Sequence, residues 1–375
     1  MIRRRQLVAS VAGLGLSHYA IAQSEKPIVL GQSAPFSGSS EQLGNLYNQG
    51  ARLYFDALNA KGGINGRSVE LKRLDDGYDP ERCAANTRQF IREGVFALFG
   101  YVGTPTSLAA LPLATEAKMP FFAPLTGAQS LREPFNRYVI HLRASYFDET
   151  AAIVKQASSV GITKIAVFYQ SDSLGQAGLE GVTRAMTPLK LQPVATGTVE
   201  RNSTDVAQAL KDILGKNPEA IIQIGSYKGC ATFVRQARRA GYGGNFYNIS
   251  FVGTQALSEE LGAVARGVII SQVMPFPYTP GTPIAAEYLS ALQASGLLGT
   301  SPNYSGMEGF VAAKVFTEAV RRVGKPLTRE GFLTAVQGMQ GYNLGGMTLD
   351  FGPQKNAGSK FVEMTMLTED GKVRH

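Results

Sequence analysis

Histidine is scarce in this chain, with three in 375 residues, and cysteine is scarcer, with two. His18 falls in the opening segment and His375 is the last residue, which leaves His141 alone in the interior of the sequence. A Ser-His-Asp array or a His-rich metal site needs more than one such side chain, so neither catalytic nor metal-binding residues are expected. His141 is expected to pack at a strand end. Cys83 and Cys230 fall in two different predicted helices. An oxidising compartment would let them pair, but two buried single thiols are the expectation.

Dense basic runs are missing as well. The formal charge is +8, and Arg3, Arg4 and Arg5 stand in an opening segment without acids, leaving +5 on the remainder. Arg238-Arg239 and Arg321-Arg322 read as solvated helix faces, and nucleic-acid binding would need a denser stripe. No later apolar run is long enough to span a bilayer. Residues 31–38 read Gly31-Gln32-Ser33-Ala34-Pro35-Phe36-Ser37-Gly38, which is not the G-x-G-x-x-G of a dinucleotide site. Neither a phosphate-loop GK[ST] nor a G-x-S-x-G nucleophile elbow occurs. No cofactor and no enzymatic activity are expected.

The first 22 residues have their own pattern. The three arginines precede an apolar run at 7–16, and Ala20-Ile21-Ala22 closes the stretch. Such a layout predicts a secretory signal peptide over 1–22 and hence export. Arg4-Arg5 loosely matches a twin-arginine signal, and the lack of a Cys after Ala22 argues against a lipid anchor there.

Beyond it, 44% hydrophobic and 18% charged residues fit a globular chain, and the length calls for two domains. Short apolar runs alternate with amphipathic stretches. Strands are predicted at 28–30, 69–74, 95–100 and 120–123, with helices at 44–59, 80–93 and 107–118 between them. A second set follows after Arg143, with helices at 148–160, 178–189 and 229–240 and strands at 164–169, 194–199, 220–224 and 245–249. A further helix is expected to open at Ser203-Thr204-Asp205, with Thr204 or Asp205 as its cap. This β-α order predicts an α/β fold of two Rossmann-like lobes with parallel sheets. A strand at 268–273 leads into a proline-rich crossing at 274–280. The helices at 309–323 and 329–337 read as additions to the first lobe, and 361–373 as a hairpin-like return to the second.

Three loops follow strands of the first lobe, and ligands in open α/β sheets gather beyond the carboxyl ends of strands. They are Ala34–Ser40 with Ser37, the run Gly103-Thr104-Pro105-Thr106-Ser107, and Pro124-Leu125-Thr126-Gly127-Ala128. Thr104 reads as a helix N-cap with Pro105 at the first helical position, leaving the amides of Thr106 and Ser107 to face a cleft. Hydroxyls, free amides and a helix dipole together suit a carboxylate. Tyr146, Tyr227 and Phe251 stand at comparable points of the second lobe and are expected to supply aromatic walls.

The run Asn59-Ala60-Lys61-Gly62-Gly63-Ile64-Asn65-Gly66-Arg67, with Asp75-Asp76 and Asp79-Pro80 after it, resembles the branched-chain amino-acid-binding family of type I periplasmic solute-binding proteins. The resemblance covers nearly all of the chain beyond the signal segment. It implies a periplasmic binding protein type I fold, with three hinge crossovers joining a lobe at 24–143 plus 275–345 to one at 144–274 plus 346–375. It further implies a periplasmic monomer that closes on a small-molecule ligand and delivers it to the permease and ATPase subunits of an ABC importer. By the same resemblance Thr104 would grip the ligand carboxylate, Thr126 and Gly127 would add donors, and Tyr227 would line the facing wall. The family's acidic residue for the ligand ammonium has no match near Ser250, and its aromatic residues have none near Leu43 and Leu174. An ammonium buried without a countercharge costs several kcal/mol. The expected ligand is therefore an aromatic or aliphatic acid without an amine, unless Asp148, Asp172 or Glu308 reaches the cleft. An amino-acid receptor is the alternative, and a sensor signalling to a membrane kinase is another.

Overall fold

The structure is a computed structural model that describes residues 26–296 and 301–375. The expected signal peptide at 1–22 lies outside the described residues. The first half runs β1 (Ile28–Ala34), α1 (Glu41–Ala60), β2 (Val69–Asp75), α2 (Pro80–Arg92), β3 (Ala97–Phe99), α3 (Thr104–Glu116), β4 (Phe121–Phe122) and β5 (Val139–Ile140). The next elements are α4 (Tyr146–Ser159), β6 (Ile165–Gln170), α5 (Ser173–Met186), β7 (Ala195–Val199), α6 (Ala207–Leu214), β8 (Ala220–Ile224), α7 (Tyr227–Arg239) and β9 (Asn245–Asn248). The chain closes with α8 (Thr254–Leu261), β10 (Val268–Gln272), α9 (Pro283–Ser295), α10 (Tyr304–Val323), α11 (Arg329–Gln337), β11 (Tyr342–Asn343), β12 (Thr348–Leu349), β13 (Glu363–Leu367) and β14 (Val373–Arg374).

Two main sheets result. The first has the order β2-β1-β3-β4-β5, all parallel. In the second, β7-β6-β8-β9-β10 are parallel and β13 and β14 add antiparallel to the free side of β10. Each sheet thus repeats one winding, its second strand beside its first and its third on the other flank. In that winding the loops after the first and third strands diverge and leave a crevice at their carboxyl ends. The short central strands are apolar on both faces because helices cover both sides; Ala97, Leu98, Phe99, Phe121 and Phe122 are all fully buried.

Helices follow from spacing and caps. Leu43, Tyr47, Ala51 and Phe55 recur every fourth residue and form the buried stripe of α1. That stripe meets α10, with Tyr54 edge-on to Phe310 at 5.2 Å and Phe55 edge-on to Phe316 at 6.2 Å. Asp79 caps α2 through the Arg82 amide at 2.9 Å, with Pro80 at the first turn. Ser145 and Asp148 form a reciprocal capping box that starts α4. Phe332 of α11 packs on Phe96 and Phe122, so α10 and α11 complete the first lobe.

Two expectations need correction. Helix α6 starts at Ala207, not at Ser203-Thr204-Asp205. Ser203 Oγ accepts the Asp205 amide and Asp205 accepts that of Ala207, so those side chains shape a turn and Val206 is the cap. The strand at 139–140 and the helices α8 and α9 carried no sequence expectation. Finally, the last crossing falls later than Gly346. His141 donates its amide to Asn356 and accepts that of Gly358, and Phe351 donates to Met339, so the chain stays with the first lobe through Gly358. Cys83 and Cys230 are buried and unpaired, on α2 and α7. Among the described residues no helix is long and apolar enough to cross a membrane.

Candidate functional site

The tips of β1, β3 and β4 face those of β6, β8 and β9 across a cleft. On the first-lobe wall Thr104 and Thr126 are fully buried, and their hydroxyl oxygens lie 2.7 Å apart, though 22 residues separate them. Thr126 also accepts the amide of Ala128 at 3.2 Å, which fixes its rotamer. Gly127 follows because the chain passes against Tyr146. A Cβ there would stand 2.7 Å from the Tyr146 amide, which instead donates to the Gly127 carbonyl at 2.7 Å. The Tyr146 ring is buried beside Thr126; burial raises its phenol above the usual range, while Arg143 and Thr126 work the other way. Among the described residues, its hydroxyl and that of Ser107 have no hydrogen-bond partner.

Gly103, at φ +98°, precedes Thr104 and is the true N-cap of α3. Thr104 therefore occupies the first helical position, one residue later than expected. The amide of Ser107 donates to the Gly103 carbonyl at 3.2 Å and does not face the cleft. A glycine is required at 103 because any Cβ would lie 2.2 Å from the Tyr78 ring. Tyr78 itself holds a left-handed φ of +63°, rare for a bulky residue, and is fully buried. Asp76 accepts its amide at 2.9 Å, and Ser33 donates to the same carboxylate at 2.8 Å. From the other lobe Phe251 lies against the Tyr78 ring, centroids 6.0 Å apart.

Charged groups line the back of the cleft. Arg143 sits at the first crossing, 1% exposed, with Glu149 of α4 at 3.6 Å and Glu308 of α10 at 3.5 Å. Its guanidinium also donates to Ser250 Oγ. Glu149 accepts the Ser250 amide at 2.7 Å, the Ser250 hydroxyl at 3.0 Å and the Ser271 hydroxyl at 2.6 Å. Burial pushes both carboxyls up, and Arg143 opposes that in each case.

At the mouth the lobes touch through polar side chains. Ser39 donates to Asn202 at 2.5 Å, Gln42 to Glu259 at 2.7 Å, and Asn202 to the Gly77 carbonyl at 3.3 Å. Lys228 lies 3.8 Å from Glu41. Between mouth and back only about 10 Å³ is open, bounded by Leu125, Ser250, Thr254, Gln272, Tyr304 and Glu308. That is room for about one water, so a solute can enter only if the lobes part. A larger concavity of about 660 Å³ lies outside, between α1 and α9, where Arg52 and Asp56 pair with each other. Arg73 near the end of β2 also lines it.

Of the seven expected residues, the cleft unites Thr104, Thr126 and Gly127 of the first lobe with Tyr146 and Phe251 of the second. Ser37 does not join them. It is exposed, and its hydroxyl and amide both bind Asp75, at 2.6 and 3.2 Å, shaping its own loop. Tyr227 is buried at the mouth against the Gln42 backbone rather than beside Thr104; burial raises its phenol to about 12. Among the carboxylates that might have answered an ammonium, Asp148 and Asp172 are taken up by helix caps and Glu308 reaches the cleft. Tyr78 and Glu149 were not foreseen. Among the described residues no group of three His, Cys, Asp or Glu is placed to hold a metal.

Comparison with known proteins places this geometry in context. The sequence model for the periplasmic binding protein family matches residues 27–372. The chain is similar to a solved structure from Rhodopirellula baltica SH 1, described as a possible leucine/isoleucine/valine-binding protein. The two share 31% identity and a TM-score of 0.89, over 94% of this chain and 96% of that one. It is also similar to a substrate-binding periplasmic protein from Ralstonia solanacearum, with 34% identity and a TM-score of 0.87 over 92% and 99% of the two chains. Leu/Ile/Val-binding protein homolog 8 of Brucella suis biovar 1 is 24% identical over 98% of this chain and 95% of its own.

Proposed function

Since this chain belongs to the periplasmic binding protein family, in its type I, Leu/Ile/Val-binding branch, we propose that it is the extracytoplasmic receptor of an ABC importer and captures a small carboxylate-bearing solute by closure of its two lobes. The observation that carries the carboxylate is the donor set where Thr104 and Thr126 of the first lobe meet Tyr146 of the second. Thr104 and Thr126 touch hydroxyl to hydroxyl, and Tyr146 beside them is buried with no partner for its hydroxyl among the described residues. Buried donors without acceptors are costly, and an acid group entering between them removes that cost. Phe251 and Tyr78 offer the apolar surface that would cover the solute's body. Lobes divided near residues 143 and 274, with a late third crossing, fit the two sheets, and the delivery partners would be membrane permease and ATPase subunits. Periplasmic location is supported by the family and by the export signal expected over 1–22.

Whether the solute carries an amine is a separate matter. The expectation of an amine-free acid rested on the lack of a carboxylate near Ser250, and two carboxylates stand there in the structure. Calorimetric titration with a panel of carboxylic acids and amino acids tests the reading. Thr104→Val is expected to weaken the best binder by about 1–3 kcal/mol, the cost of an unmet buried polar partner. Small-angle scattering should show a more compact particle with that binder present. Unchanged affinity in Thr104→Val would remove the hydroxyl pair from the site.

A further inference from the structure

The turn between β2 and α2 sets two left-handed residues in succession, Gly77 at φ +56° and Tyr78 at φ +63°. Glycine takes such a backbone freely, whereas a bulky residue takes it only against strain. At Tyr78 the surroundings impose it. Asp76 accepts the Tyr78 amide at 2.9 Å and donates its own to the Ala34 carbonyl at 3.1 Å. Asp75 accepts the Gly77 amide at 2.9 Å, and Asp79 donates to the Asp76 carbonyl at 2.9 Å. Glycine could hold the same turn, so what tyrosine adds at this position is its side chain. That side chain is fully buried. One edge of the ring lies against Gly103, where a Cβ would stand 2.2 Å away, and Gly103 immediately precedes Thr104. Phe251 of the second lobe faces the ring with centroids 6.0 Å apart, and Gln170 at the tip of β6 donates to its hydroxyl at 3.4 Å. One first-lobe side chain thus closes the gap between the Thr104 loop and two tips of the facing lobe.

A solute whose acid group sits at Thr104 and Thr126 has two directions for its body. Toward the back it meets Arg143, Glu149 and Glu308, where apolar atoms gain nothing and charged groups lose their partners. Toward Tyr78 and Phe251 it meets two aromatic rings. We propose that Tyr78 is a specificity-determining residue: its ring is the end wall of the closed cleft and sets the longest apolar chain that the solute can carry. This rests on the carboxylate reading above and adds a length limit to it. The wall is firm because the amides of Asp76, Gly77, Tyr78 and Asp79 are all hydrogen-bonded. A chain too long for the space cannot push the ring aside without breaking that turn. It holds the lobes apart instead and forgoes the contacts made only on closure.

Tyr78→Gly suits the test, since a left-handed backbone admits glycine without strain and only the side chain is lost. Calorimetry on the full chain would use two series of rising length, unbranched carboxylic acids from acetate to octanoate and their 2-amino counterparts. In wild type, affinity is expected to rise with each methylene and then break off at a definite length. Tyr78→Gly should move that break outward by about two carbons or more, and the first acid past the wild-type limit should gain about 10-fold or more relative to the last one within it. Tyr78→Phe should keep the wild-type break. The break is located within one protein, so loss of folded material does not alter it. If a series binds but wild type shows no break, or Tyr78→Gly leaves the break in place and weakens every member alike, Tyr78 is not the end wall and the carboxylate reading stands. If neither series binds, the carboxylate reading falls and the inference with it.

Discussion

The back and the mouth of the cleft join the same two lobes by opposite physical means. At the back, Arg143, Glu149, Glu308, Ser250 and Ser271 meet almost without water, and each ionic contact acts in a medium of low polarity. At the mouth, Ser39, Asn202, Gln42, Glu259, Lys228 and Glu41 meet in solvent, where water competes for every partner. Coulomb attraction is several-fold stronger at the back, and an unmatched charge there is penalised by several kcal/mol. Exposed pairs contribute about 0–1 kcal/mol each. One closing movement can therefore place selectivity at the back and leave the mouth free to reopen.

Breaking the back should produce the largest effect. Glu149→Ala removes the acceptor of three hydrogen bonds and one of the two countercharges of a buried guanidinium. Loss of one partner in such a cluster costs about 3–5 kcal/mol. Thermal unfolding of the variant should show a large fall in Tm. A fall no greater than that of a surface substitution would mean that the cluster is hydrated and that back and mouth do not differ.

Neighbouring aspartates repeat the contrast on a smaller scale. Burial raises the Asp76 carboxyl to about 6, although Ser33 and the Tyr78 amide stabilise its anion. Burial also acts on Asp75, but there hydrogen bonds from Ser37, Gly77 and Phe36 prevail and hold it at about 2. The signs are opposite. Asp76 keeps its proton in the folded state up to about pH 6, whereas in the unfolded chain it ionises near 3.8, so its contribution to stability is lost as pH rises through that window. Asp75 contributes stability above its unfolded value, and that contribution is lost as pH falls toward 2. A gap of roughly two pKa units corresponds to at most about 3 kcal/mol for Asp76. In Asp76→Asn the decline in Tm between pH 4 and 6.5 should flatten. Parallel curves for variant and wild type would show that Asp76 is no more buried in its effect than Asp75.

How much of this was legible in the sequence follows from where each signal resides. Apolar runs and helical spacing are local, so the α/β order and the two lobes could be read directly. The loops with Thr104 and Thr126 were marked by their place after strands and by Pro105 and Gly127. Tyr78 was invisible because nothing local announces a left-handed tyrosine; its position depends on Gly103, which is distant in the chain and near in space. The carboxylate sought beside Ser250 is Glu149, which lies 101 residues earlier in the chain and arrives through helix packing. The third crossing was misplaced for a similar reason. The pairing of 356–358 with His141 is a long-range contact with no compositional mark. Ser37 was misread because a hydroxyl at a strand tip can face its own loop, here Asp75, as easily as a ligand.

The mouth should yield the smallest effect, and Lys228 measures it. Its ammonium lies 3.8 Å from Glu41 and 3.5 Å from the Gly38 carbonyl, with a third of its side chain and half of that of Glu41 in solvent. In that setting the attraction is largely offset by solvation of both ions and by the entropy of holding two long side chains. Lys228→Ala is expected to weaken ligand binding by no more than about 1 kcal/mol, because the lost contact forms only on closure. Raising the salt should erase even that, since exposed charges are screened over about 3 Å at 1 M. Calorimetry of the variant at low and high salt makes the comparison. A loss of more than tenfold in affinity, or one that persists at 1 M salt, would place Lys228 with the buried pairs and make the mouth a determinant of closure equal to the back.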